Sequence, residues 1–89
     1  MAEELPIPEA VASDESSVEI VRVWGANREQ HVTIDVFTLD DPAGWGLLLA
    51  DLARHTARAY AQEGNMGAEE ALKSIKERMD AEWDRAADR

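Results

Sequence analysis

At Asp41-Pro42 the periodicity of this chain changes, and that switch restricts the fold more than any other feature. Before it lie two runs rich in β-branched and aromatic residues: Val18-Glu19-Ile20-Val21-Arg22-Val23-Trp24 and Gln30-His31-Val32-Thr33-Ile34-Asp35-Val36-Phe37-Thr38. Both read as strands. The five residues between them, Gly25 to Glu29, suit a hairpin loop, with Gly and Asn available for positive φ. After Pro42 the apolar residues recur at helical spacing. The chain therefore reads as an α+β fold of order ββαα, a β-hairpin of two antiparallel strands packed on two antiparallel helices.

Cross-strand chemistry narrows the register. Pairing Ile20 with Ile34 aligns Val18 with Val36 but sets Glu19 against Asp35. Pairing Ile20 with Val32 relieves that repulsion. Either choice gathers Val18, Ile20, Trp24, Val32, Ile34 and Val36 on one face as core candidates. Phe37, Val21 and Val23 make the second face apolar too. With two unpaired edges and no third strand, such a hairpin invites a partner. A homodimer joined at the hairpin edge, or at the faces beside it, is expected.

Asp41 is placed to cap a helix and Pro42 to occupy its first turn, with Asp40 adding negative charge at the positive end. This helix should run from Pro42 to about Glu63, stopping before Gly64. Its expected buried stripe is Trp45, Leu48, Leu49, Leu52, Thr56, Ala59 and Tyr60. A line of small residues, Gly46, Ala50, Ala53 and Ala57, runs beside it and permits close backbone approach. The last helix should cover Ala68 to about Arg85, burying Ala68, Leu72, Ile75, Met79 and Trp83, with Glu69, Lys73, Glu77, Arg78 and Glu82 pairing along its exposed side. Trp24, Trp45 and Trp83 are expected to form the apolar centre. On that reading Trp45→Ala costs about 3–5 kcal/mol.

Charge limits the partners. Nineteen acidic residues against nine basic ones give −10 over 89 residues, which argues against direct binding to nucleic acid or an anionic membrane. Residues 1–17 carry only acidic charge and hold Pro6 and Pro8, so they read as an acidic arm, with Leu5 and Ile7 as possible apolar pegs. Residues 18–89 read as one compact α+β domain. The absence of cysteine removes thiolate chemistry and sulfur-based zinc sites. Met1-Ala2-Glu3-Glu4-Leu5 has neither the positive start nor the apolar run of a signal peptide or anchor, so a cytoplasmic protein is expected.

The best candidate for chemistry is the set Asp51, Arg54, His55 and Arg58. One helical turn separates Asp51 from His55, so a carboxylate could orient an imidazole beside anion-binding arginines. The plainer reading is a solvated helix face carrying ordinary ion pairs. His31 and Asp35 share a strand face and would ligate a metal only if Asp51 or His55 joined them, which is a weak pattern. Capping explains Asp40 and Asp41. Gly44-Trp45-Gly46 lacks the lysine and hydroxyl of a phosphate loop. No metal, cofactor or catalytic nucleophile is expected.

The stretches Leu5-Pro6-Ile7-Pro8, Arg22-Val23-Trp24, Asp41-Pro42-Ala43-Gly44-Trp45-Gly46, Leu49 to His55 and Ala81-Glu82-Trp83 together resemble a small proteobacterial family catalogued as a domain of unknown function (5076). The resemblance spans nearly the whole chain and implies a compact cytosolic α+β protein, with no activity to carry over. The functional expectation is a noncatalytic, homo-oligomeric interaction or accessory module. The alternative is a small-ligand binder or minor enzyme using Asp51, His55 and Arg58, and an acidic mimic of nucleic acid stands third.

Overall fold

The computed structural model describes residues 2–87. In chain order it holds a one-turn helix α1 (Glu9–Ala12), strands β1 (Val21–Ala26) and β2 (Glu29–Ile34), and helices α2 (Pro42–Gln62) and α3 (Ala68–Ala87). The ββαα order of an α+β fold is therefore observed, preceded by a single helical turn within the acidic arm. Contacts gather into two compact units, Met1–Thr38 and Leu39–Arg89.

In the first unit, Asp14 organises the turn that follows α1. Its Oδ1 accepts from the Ser16 amide at 2.9 Å and from the Ser16 hydroxyl at 2.6 Å. Further along, β1 and β2 are joined by two residues, Asn27 and Arg28, with φ of 54° and 63°. Both central residues left-handed is the signature of a type I′ turn, whose twist matches that of the strands it joins. The turn fixes the register: Ala26 faces Glu29, Trp24 faces His31, Val23 faces Val32 and Val21 faces Ile34.

This corrects the expected pairing. Ile34 meets Val21 where Ile20 was expected, and Val32 meets Val23, three places from Ile20. Both expected registers are thus off by an odd number, which turns β1 over. The aliphatic face is Val21, Val23, Val32 and Ile34, while Trp24 shares the other face with Arg22, His31 and Thr33. Repulsion between Glu19 and Asp35 is the weaker constraint on register. A two-residue turn, tighter than the five-residue loop allowed for, draws Gly25 and Ala26 into the strand and outranks one surface charge pair. On the polar face, the Arg22 guanidinium lies 5.6 Å from the centre of the Trp24 ring and is held by Glu19 at 2.9 Å.

β2 also ends earlier than Thr38. The Asp35 amide donates to the Ile20 carbonyl at 2.8 Å. Its carboxylate then accepts from the Phe37 amide at 2.9 Å and the Thr38 hydroxyl at 2.8 Å, bending the chain away. Val36 and Phe37 consequently leave the strand, and Phe37 is 87% exposed.

The second unit is a helical hairpin. Asp41 Oδ1 accepts from the Ala43 amide at 3.0 Å, with Pro42 following, as the capping argument requires. Gly64, at φ 80°, lies just past the end of α2 in the conformation that favours glycine there. α3 continues to Ala87, two residues beyond the expected end, and its exposed side carries Lys76–Asp80 and Arg78–Glu82 ion pairs at 2.8 and 2.9 Å.

The expected stripes are covered only in part. Ala57 and Ala71, 2% and 3% exposed, are the buried apolar residues among those described. Ala50 and Ala53 are half-buried on the same side of α2 as Ala57. The small-residue line therefore faces α3. Trp45 and Leu48 are half-buried, while Leu49, Leu52, Thr56, Ala59 and Tyr60 are exposed. In α3, Ala68, Leu72 and Ile75 are half-buried, Met79 is exposed, and Trp83 is 74% exposed. The tryptophans form no buried centre, since Trp24 and Trp45 are only half-covered. The physical reason is spacing: alanines admit a second backbone at about 8 Å, whereas leucines would hold it further off.

Three outcomes test these assignments. Arg28→Gly removes a side chain from a left-handed position and should stabilise by about 0.5–1 kcal/mol, read as a higher urea midpoint at unchanged slope. Ala57→Leu should destabilise by about 1–3 kcal/mol by overpacking the seam between α2 and α3. The Thr38 hydroxyl, and after it the Phe37 amide, hold the Asp35 carboxyl below its ordinary range. A carboxylate depressed in the folded state contributes stability above its unfolded pKa and loses it as pH falls through the folded value. Thr38→Val should therefore move the Asp35 titration midpoint upward, measured by carboxyl NMR, and weaken the acid dependence of stability.

Candidate functional site

The candidate residues all stand on α2, so the distribution of that helix around its axis decides what they can do. At 3.6 residues per turn α2 divides into three sides. Ala50, Ala53 and Ala57 make the side turned to α3, and Gly46, in line with them, is exposed. Asp51, Arg54, His55 and Arg58 make a charged side, which also carries Leu47. Trp45, Leu48, Leu49, Leu52, Thr56 and Tyr60 make an apolar side.

On the charged side the expected Asp51–His55 pair is replaced by two others. Arg54 Nη1 donates to Asp51 Oδ1 at 3.2 Å, and Arg58 Nη1 lies 3.5 Å from His55 Nδ1. All four residues are exposed. Arg54 wins Asp51 because a guanidinium on a long stem reaches back one turn with a fork of donors, while the imidazole is shorter. The result is two adjacent i,i+3 contacts in water. His55 keeps the arginine beside it, and among the described residues no carboxylate orients its ring.

His31 and Asp35 are both engaged elsewhere. His31 Nε2 is 3.2 Å from the Ala26 carbonyl, and Asp35 uses both oxygens in the turn after β2. Among the described residues no three of His, Asp and Glu gather as a metal site. No described helix is long and apolar enough to cross a membrane.

Two features escaped the sequence reading. One is a groove of about 520 Å³ within the helical unit, where Tyr60, Met66, Ile75 and Met79 supply apolar walls and the Arg78–Glu82 pair a polar rim. The other is the exposed apolar side of α2, with Leu52 51% exposed. The signal for it was present in the line Gly46-Ala50-Ala53-Ala57, which marks where a neighbouring helix comes closest. Once that line is given to α3, the leucines have to face elsewhere.

Among curated proteins, none matches this chain. A solved structure from the photosynthetic bacterium Rhodopseudomonas palustrus CGA009, named provisionally as a pyruvate dehydrogenase, is similar over 93% of this chain and 84% of its own. The two share 35% identity with a TM-score of 0.74. Over residues 4–87 the chain matches the family described as Domain of unknown function (DUF5076), and it belongs to that family.

Proposed function

We propose that this protein is a noncatalytic cytoplasmic interaction module that works as a homodimer. The observation that carries this reading is the poverty of buried apolar surface: among the described residues two alanines are buried, while Leu49, Leu52, Tyr60, Val23, Val32, Ile34 and Trp83 are about half exposed or more. Covering one such side chain is worth about 1.5–3 kcal/mol, a large part of what holds a small domain together. Contiguous exposed patches of this kind mark interaction surfaces.

A binding role fits the charged side of α2 better than catalysis does. Asp51, Arg54, His55 and Arg58 stand open to water. A general base there gains nothing from desolvation, and its partners are screened. The similar Rhodopseudomonas structure is named provisionally as a pyruvate dehydrogenase. Small-molecule sites are concave and mostly apolar, whereas the charged side of α2 is open helix surface.

Light scattering coupled to size exclusion tests the dimer. The expected mass at micromolar concentration is twice the 9.9 kDa of the chain, and a monomer persisting at high concentration overturns the reading. His55→Gln separates the noncatalytic part. It should leave the unfolding free energy within about 0.5 kcal/mol, as for other open surface positions, and leave dimerisation in place. Loss of a specific activity in that variant, with folding intact, would favour an enzyme.

A further inference from the structure

We infer that the dimer interface is the apolar side of α2, packed antiparallel against the same side of a second copy. This deepens the homodimer proposed above and rests on it. Three observations select this surface over the hairpin.

The first is charge. Two copies of a chain at −10 repel, and a two-fold contact sets each patch against itself. The unit Met1–Thr38 carries eight acids against two bases, so doubling it concentrates negative charge. Helix α2 is different: Asp51 is its one acid, and Arg54 and Arg58 outnumber it. Between Pro42 and Gln62 its apolar side holds no charge, and the acids on that side, Asp41 and Glu63, stand at its two caps.

The second is spacing. Trp45, Leu48, Leu49, Leu52, Thr56 and Tyr60 recur at intervals of three and four, the pattern of a helix that meets another helix lengthwise. They cover about four turns, long enough for knobs to enter facing holes.

The third is self-complementarity. Let the two-fold axis pass between Leu52 and Ala53. Trp45 then meets the partner's Tyr60, Leu49 meets the partner's Thr56, and Leu52 packs beside the partner's Leu52. Large aromatic meets aromatic at each end, and the smaller residues meet near the middle. At the border, Asp51 falls within one place of the partner's His55, and symmetry makes that contact twice. The imidazole, which pairs with no carboxylate among the described residues of its own chain, gains one there.

Cysteine crosslinking reads this geometry directly, because the chain has no cysteine of its own. Leu52→Cys puts two thiols across the axis and should give a disulfide-linked dimer under mild oxidation. Leu47→Cys, five residues and about 140° round the helix, should remain largely uncrosslinked. In light scattering, Leu52→Glu should weaken dimerisation at least about 100-fold, since two leucines lose cover and two carboxylates face each other. Val32→Glu on the hairpin should leave the dimer unchanged. Far-UV circular dichroism confirms that both variants are folded. A dimeric wild type that is disrupted by Val32→Glu and not crosslinked through Leu52→Cys overturns the α2 interface and leaves the dimer standing. A monomeric wild type overturns both.

Discussion

The close approach of α2 and α3 through Ala57 and Ala71 is the constraint from which the character of the helical unit follows. A seam of alanines is an economical way to pair helices, since it needs no rotamer choice and tolerates a short interaxial distance. It is also a poor source of stability. Each alanine contributes one methyl, worth about 0.8 kcal/mol, where a leucine contributes roughly two to four times as much. The seam occupies the side of α2 that approaches α3 most closely. The larger apolar residues, Leu49, Leu52 and Tyr60, are thereby turned out. Holding the hairpin together and leaving a sticky side are two consequences of one choice of residues.

The β-hairpin repeats this logic with different chemistry. Its shape is dictated by Asn27 and Arg28, two consecutive residues in the left-handed region. Only Asn is well suited to it, so the second position carries strain of order 1 kcal/mol that the rest of the ladder must offset. Alternation on β1 and β2 then sorts Val21, Val23, Val32 and Ile34 from Arg22, Trp24, His31 and Thr33. One face is aliphatic up to the Gly25–Gln30 pair beside the turn. The other stacks a guanidinium on an indole and anchors it with Glu19.

How much of this was legible in the sequence depended on the range of the interaction involved. Capping by Asp41, the stop near Gly64 and the element order involve neighbours within a few positions, so local chemistry sufficed. Family membership was legible for the same reason, through short strings such as Asp41 to Gly46. The strand register failed because two plausible turn lengths differ by an odd number of residues, and parity decides every face at once. The buried stripe of α2 was legible only in part, because hydrophobicity alone does not decide burial. Two adjacent lines, one alanine-rich and one leucine-rich, both had helical period, and close packing favoured the smaller one. At the candidate site the four residues share a side as expected, but competition for Asp51 between Arg54 and His55 is a matter of reach that spacing alone does not rank.

Charge and apolar exposure pull in opposite directions in this chain, and their distribution along it reconciles them. A uniform −10 would keep copies apart at short range, while uniformly exposed leucine and valine would draw in any apolar surface. Here the acids crowd the first 38 residues and α3, while α2 bears one acid among twenty-one residues. Repulsion between exposed charges fades over about 8–10 Å at physiological salt. A contact confined to a weakly charged helix can therefore form while acidic regions discourage contacts elsewhere. The acidic surplus then acts as a filter on geometry, disfavouring indiscriminate association and leaving open the approach that brings uncharged side to uncharged side.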